Sequence, residues 1–226
     1  MSLLLVHRPA PLRWSRGIPS KSRSQAWEPY AIPSTVHNSH QSEHRPYVPT
    51  PAEMEERYRS TDRVWSGKPN STLVDYAAEL APGTALDVGC GEGADALWLK
   101  NHGWDVLGID FAPTAVARTR ALGVAAQVAM FSGFSHEPFD LVSVHYGGIR
   151  ATSEEVEKLE HLVAPGGTLL YVHHDMESTE LAMPEWLAHN LRELETVTLA
   201  RRERHLAEGA GAHHRTDVVL VAKRVG

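Results

Sequence analysis

The residues with the clearest chemical potential lie in one stretch, Ala85-Leu86-Asp87-Val88-Gly89-Cys90-Gly91-Glu92-Gly93-Ala94-Asp95. Its apolar run, Ala85, Leu86 and Val88, reads as a buried strand. Gly89, Gly91 and Gly93 then predict a tight turn, because glycine lets the backbone approach a ligand closely. A helix is expected over Ala94 to Asn101. Strand, glycine turn and helix together open a βαβ nucleotide-binding unit. The next strand, Trp104 to Ile109, ends on Asp110. An acid about 20 residues past such a turn is placed to accept hydrogen bonds from ribose hydroxyls. The expected ligand is an adenosine-like nucleoside.

Charge separates the candidates. A dinucleotide brings a pyrophosphate to the turn, where helix N–H groups receive it. Here the turn carries Asp87, Glu92 and Asp95 and no basic residue. Carboxylates around a diphosphate repel it, by roughly 1 kcal/mol per pair at 4 Å in water and by more at lower dielectric. S-adenosylmethionine has no phosphate and presents a sulfonium and an ammonium, which suit an acidic turn.

Asp87-Val88-Gly89-Cys90-Gly91-Glu92-Gly93 followed by Gly108-Ile109-Asp110 resembles the first two motifs of class I S-adenosylmethionine-dependent methyltransferases. The wider stretch from Trp65-Ser66-Gly67-Lys68-Pro69-Asn70 to Ala94-Asp95-Ala96-Leu97-Trp98-Leu99 is similar to the small-molecule branch that includes tellurite- and thiopurine-type enzymes. The likeness runs from about Val48 to the C-terminus. It implies an α/β fold: a Rossmann-like seven-stranded sheet, mostly parallel with a C-terminal antiparallel hairpin, and helices on both faces.

The resemblance also implies roles. Asp87 accepts from the methionine ammonium directly or through water, Gly89, Cys90 and Gly91 bring backbone to the methionine arm, and Asp110 takes the ribose hydroxyls. Val144 lies on the cofactor-binding strand end, and Phe111 or Phe131 packs on the adenine face while the backbone of Met130 reads its edge. Relatives place an acid or amide near Met130, and this chain has none there. Trp65, Lys68 and Asn70 become lid contacts, set against a core aromatic and a solvated lysine. His145, His173 and His174 are the candidate bases where the methyl emerges, with Tyr146 as a neighbour. The other reading of each histidine is a strand-end residue that only packs. A metal site is not expected at His173-His174-Asp175, since adjacent strand residues point to opposite faces.

Around these residues the chain predicts a supporting frame. Thr50, Pro51 and Glu53 form a capping box that opens a helix. Asn70 caps a second helix, Ser71 to Leu80. Pro113 starts a third helix after Asp110, running to Leu122, and the strand beyond it spans Val124 to about Phe131. Phe139 to Val144 is a central parallel strand. Thr152 to Glu155 is another capping box, and Ala164-Pro165-Gly166-Gly167 turns into a strand over Thr168 to Val172. A helix over Pro184 to Leu194 precedes an antiparallel ribbon, Glu195 to His205 and Arg215 to Arg224.

At 226 residues, this frame amounts to one domain over 50–226 and a flexible, proline- and serine-rich tail over 1–49. The tail holds five basic residues and no acid before Trp27, a loose match to a transit peptide, set against a plain tail on a cytoplasmic enzyme. The net charge of −6 argues against a nucleic-acid surface, and no apolar run reaches the ~20 residues of a membrane span. The single cysteine, Cys90, fits a reducing compartment and a packing role in the turn. The function expected is methyl transfer to a small molecule. A nicotinamide-dependent oxidoreductase and a catalytically silent adenosylmethionine-binding domain are the alternatives.

Overall fold

A computed structural model describes residues 50–203 and 215–225. The expectations for the 1–49 tail and for the loop after Glu203 lie outside the described residues. Seven strands form one sheet in the order β3-β2-β1-β4-β5-β7-β6. β1 (Thr84–Val88), β2 (Asp105–Asp110), β3 (Ala125–Val128), β4 (Phe139–His145) and β5 (Val163–His174) are parallel neighbours. β7 (Thr216–Arg224) inserts antiparallel between β5 and β6 (Leu194–Glu203). This is the expected sheet, hairpin included.

Strand alternation feeds two cores. Leu169, Tyr171 and Leu220 join one apolar cluster, while their neighbours Leu170, Val172 and Val219 join the other. The first cluster is covered by α5 (Ser153–His161) and α6 (Pro184–Asn190), through Val156, Leu159 and Leu187. The second is covered by α2 (Ser71–Ala77) and α3 (Ala94–Asn101), through Leu73, Ala77, Ala96 and Leu99. A smaller cluster joins Tyr58 of α1 (Pro51–Arg59) to Ala115 of α4 (Pro113–Ala121).

Local chemistry explains most element ends. The α1 capping box is complete: the Thr50 side chain accepts from the Glu53 amide, and the Glu53 carboxylate accepts from the Thr50 amide. The second box is half made. Thr152 accepts from the Glu155 amide, but the Glu155 carboxylate turns to the amide and guanidinium of Arg150. α2 ends at Ala77, three residues before the expected Leu80, and Asn70 makes no side-chain cap because its amide is committed elsewhere.

Two strands also differ from expectation. β3 stops at Val128, its last pairing with β2, and Phe131 falls in a 3₁₀ turn, Phe131–Gly133. β5 begins at Val163, so Ala164 to Gly167 is a bulge within the strand rather than a turn before it. α6 ends at Asn190, because the buried Glu160 carboxylate collects the amides of Arg192, Glu193 and Leu194 and pulls the chain into β6. Among the described residues no helix is long and apolar enough to cross a membrane.

Candidate active site

The glycine turn follows β1. The Gly89 and Cys90 amides both donate to the Ile109 carbonyl, at 2.8 and 3.0 Å, which bends the chain sharply. Gly93 takes φ +82° at the head of α3, and a Cβ there would stand 2.7 Å from Thr119 Oγ1. A Cβ on Gly89 would meet only the Gly147 Cα, at 3.8 Å. The loops after β1 and β4 thus face each other glycine to glycine. They flank the point between β1 and β4 where the connections run in opposite directions, to β2 and to β5, the usual ligand crevice of an open α/β sheet.

The carboxylates of this turn are not equivalent. Glu92 accepts from the Val64 and Trp65 amides and pairs with Arg118 of α4 at 2.6 Å. No basic residue lies in the turn itself, and the fold supplies Glu92 with one from 26 residues away. Asp95 accepts from the Asn70 amide at 2.7 Å and its side-chain Nδ2 at 2.8 Å. Asp110 accepts from the Gly91 amide at 3.0 Å and the Ala112 amide at 2.9 Å. Burial raises its carboxyl above the usual range, and those two amides pull it partly back.

Asp87 is the exception. It is buried on β1, and its Oδ2 has no hydrogen-bond partner among the described residues. Burial first, then the nearby Asp95 and Asp110, push its carboxyl well above the ordinary value. An orphaned buried carboxylate oxygen is costly in isolation and calls for a partner, whether a ligand, an ion or an ordered water.

The link before α2 covers this turn. Trp65 Nε1 donates to the Tyr58 hydroxyl at 2.8 Å, and both atoms would stand 3.2–3.3 Å from a Cβ on Gly91. Tyr58 is a site residue that the sequence motifs do not mark. Asn70 is tied to Asp95 as above, and Lys68 is exposed on the link. Phe111 is half-buried and packs against the α1–α4 cluster. Met130 is exposed, Phe131 packs on the main core, and Val144 is fully buried, 2.8 Å from where a Gly147 Cβ would stand. Cys90 is buried, its thiol pushed up by burial, with Sγ 2.9 Å from a would-be Cβ on Gly108.

A second cluster sits at the same edge of the sheet. His145 is buried, with Nε2 2.9 Å from Thr72 Oγ1 and Nδ1 3.2 Å from Ser143 Oγ and 3.6 Å from Asp95. Tyr146 follows with φ +57°, a left-handed angle. Its ring stacks on His174 at 4.2 Å, and His173 meets it edge-on at 6.2 Å. The Tyr146 hydroxyl donates to Asp217 Oδ2 at 2.7 Å, and His174 Nδ1 lies 3.0 Å from Asp217 Oδ1. Sequence reasoning missed Asp217. The signal was available: an acid stands at the head of the apolar run Val218 to Ala222. Among the described residues no group of three or more His, Cys, Asp or Glu side chains forms a metal site.

Comparison with known proteins bears on the family and the fold. The chain is 36% identical over 109 residues to a demethylmenaquinone methyltransferase of Thermus thermophilus, covering 43% of this chain and 50% of the relative. Its matches span half or less of the length of the curated relatives. Among solved structures it is similar to the N-methyltransferase NodS of Bradyrhizobium japonicum WM9 in complex with S-adenosylhomocysteine (TM-score 0.62, 20% identity, 77% of this chain and 98% of that one). It is also similar in fold to TehB of Haemophilus influenzae (TM-score 0.58, 15% identity, 76% and 66%). Residues 52–211 match the family described as "Methyltransferase domain". With that match over most of its length and the sheet order above, the chain belongs to the methyltransferase-domain family and carries the class I fold of S-adenosylmethionine-dependent methyltransferases.

Proposed function

We propose that this chain is a cytoplasmic enzyme that transfers a methyl group from S-adenosylmethionine to a small-molecule acceptor. The observation that carries the reading is the Oδ2 of buried Asp87, without a partner among the described residues, beneath a turn of left-handed glycines. An ammonium group answers that oxygen, and an anionic pyrophosphate does not. The residues present therefore fit adenosylmethionine: Asp87 for the ammonium, the Gly89–Gly91 backbone for the methionine arm, and Asp110, held rigid by two amides, for the ribose diol. Phe111 follows β2, Met130 and Phe131 follow β3, and these are the residues that would receive the adenine.

When bound, the cofactor supplies an electrophilic methyl group. The chain's own residues then bind, orient and exclude water, and well-oriented reacting pairs gain ~7–11 kcal/mol from positioning alone. Trp65 and Tyr58 cover the glycine turn, and Glu92 fastens that cover down. A small acceptor is favoured by the compact link before α2 and by the small-molecule name of the Thermus relative. The dinucleotide reading is disfavoured by β7, an antiparallel insertion that the 3-2-1-4-5-6 dinucleotide sheet lacks.

Thermal-shift titrations with S-adenosylmethionine, S-adenosylhomocysteine and NADH, on wild type and Asp110→Ala, test this. Ligand at 100 times its dissociation constant adds about 2.7 kcal/mol of stability. Stabilisation by the first two, lost in the variant, is expected. Stabilisation by NADH alone overturns the reading. Cofactor binding with no turnover across thiol, amine and hydroxyl acceptors gives the silent domain instead.

A further inference from the structure

We propose that Asp87 carries a proton in the ligand-free protein, and that the ammonium of the cofactor's methionine arm displaces that proton to solvent on binding. The inference rests on the methyl-transfer reading above and adds a charge exchange to it: one cation enters the site as another leaves. Asp87 lies on β1 between Gly108 of β2 and Ser143 of β4, neither of which carries a charge. The residue is 2% exposed, and its Oδ2 meets no donor among the described residues. A buried acid so placed takes up a proton rather than stay charged without a partner.

The two neighbouring acids are equipped differently. Asp95 of α3 has a donor on each oxygen, the Asn70 amide at 2.7 Å on Oδ1 and the Asn70 Nδ2 at 2.8 Å on Oδ2. Asp110 of β2 has the Ala112 amide at 2.9 Å on Oδ1 and the Gly91 amide at 3.0 Å on Oδ2. Donors on both oxygens favour the ionised form. Burial first, then Asp95 and Asp110, hold the Asp87 carboxyl well above its ordinary value, against one backbone donor, Ala96 of α3. The other groups about β1 are the Cys90 thiol, pushed up by burial and by Asp87, and the Tyr58 phenol of α1, pushed up by burial and by Asp110. Arg118 of α4 is engaged with Glu92. His145 of β4 lies beyond Asp95, with Nδ1 3.6 Å from Asp95 Oδ2, and its imidazole is the other proton carrier here.

The consequence is a cofactor affinity that depends on pH in one direction. An ammonium pairs with the ionised carboxylate and not with the protonated one. Below the raised value the protein must first surrender a proton, so each pH unit downward weakens binding by up to about tenfold. Above that value the acid is already ionised and the dependence ends. At Asp87 the charge is then the same empty and filled: a neutral acid before binding, a carboxylate–ammonium pair after it. The displaced proton passes to the buffer, where it can be counted.

Titration calorimetry of the full chain with S-adenosylhomocysteine, in two buffers of different ionisation enthalpy, counts the protons released. At about pH 6 the ligand's own amino group stays charged, since such groups titrate near about 8. Wild type is expected to release roughly 0.5–1 proton per ligand there, and its Kd to tighten as pH rises. 5′-Methylthioadenosine, the same nucleoside thioether without the amino-acid arm, is expected to bind with no release. Asp87→Asn is expected to bind S-adenosylhomocysteine with no release and a Kd that no longer changes with pH. Binding to wild type without release overturns the proposal, and so does equal release with 5′-methylthioadenosine. Both results are read without the variant, so they decide even if Asp87→Asn does not fold. Release that persists in a folded Asp87→Asn assigns the proton to another group, His145 first, and also overturns the proposal. If S-adenosylhomocysteine does not bind wild type at all, the methyl-transfer reading falls and takes the proposal with it.

Discussion

Asp87 sets stability against binding at a single oxygen. Its carboxyl is raised in the folded state, so the folded protein favours the protonated form. The sign follows: stability is not penalised below the ordinary carboxylate value, and falls as pH rises from that value through the raised one. Asp87→Asn removes the penalty. It is expected to raise the ligand-free melting temperature at neutral pH, by about 2–4 °C for each kcal/mol in a chain of this size. The same change is expected to weaken S-adenosylmethionine binding by at least about tenfold, the equivalent of roughly 1.4 kcal/mol, as measured by calorimetry. Gly93 gives the opposite case. Alanine there combines φ +82° with a Cβ 2.7 Å from Thr119 Oγ1. Urea denaturation of Gly93→Ala is expected to show a loss of ~1–3 kcal/mol.

Among elements, the link between α1 and α2 depends on one carboxylate. Glu92 collects two amides of the link and the Arg118 guanidinium, and Arg118 also donates to the Tyr58 carbonyl at 2.7 Å. The cover over the glycine turn is thus anchored to α4 rather than by burial of its own, since Trp65 remains 37% exposed. Glu92→Ala leaves those donors without their acceptor, a cost of about 1–3 kcal/mol felt mainly by the link. Hydrogen exchange at the Val64 and Trp65 amides should accelerate ~5- to 100-fold, while amides of β1 and β4 hold their wild-type rates.

Across the whole molecule, β7, like β5, feeds both cores. Leu220 enters the cluster under α5 and α6, and Val219 enters the one under α2 and α3, both fully buried. Leu220→Ala is expected to cost ~2–5 kcal/mol by denaturant titration. Because β7 also delivers Asp217 to the end of β5, a larger disruption of this strand removes the second cluster along with the fold.

Much of this was legible from residues alone. Short-range chemistry wrote the strand–glycine–helix unit: the apolar run to Val88, the three left-handed glycines, α3 from Ala94 to Asn101, and Asp110 at the end of β2. Neighbouring residues determine such features, and the α1 capping box belongs with them. What lay beyond reach were pairings between side chains far apart in the chain. The sequence placed Asp87, Glu92 and Asp95 in one acidic turn, and only packing separated them, giving Glu92 to Arg118, Asp95 to Asn70, and leaving Asp87 Oδ2 without a partner among the described residues. Asn70 read as a cap until Asp95, 25 residues on, claimed its amide. His174 read as one of three equal histidines until an antiparallel register brought Asp217 to it across 43 residues. Periodicity and turn chemistry act over a few residues, whereas the charge state and orientation of a buried group are set by whatever the sheet brings beside it.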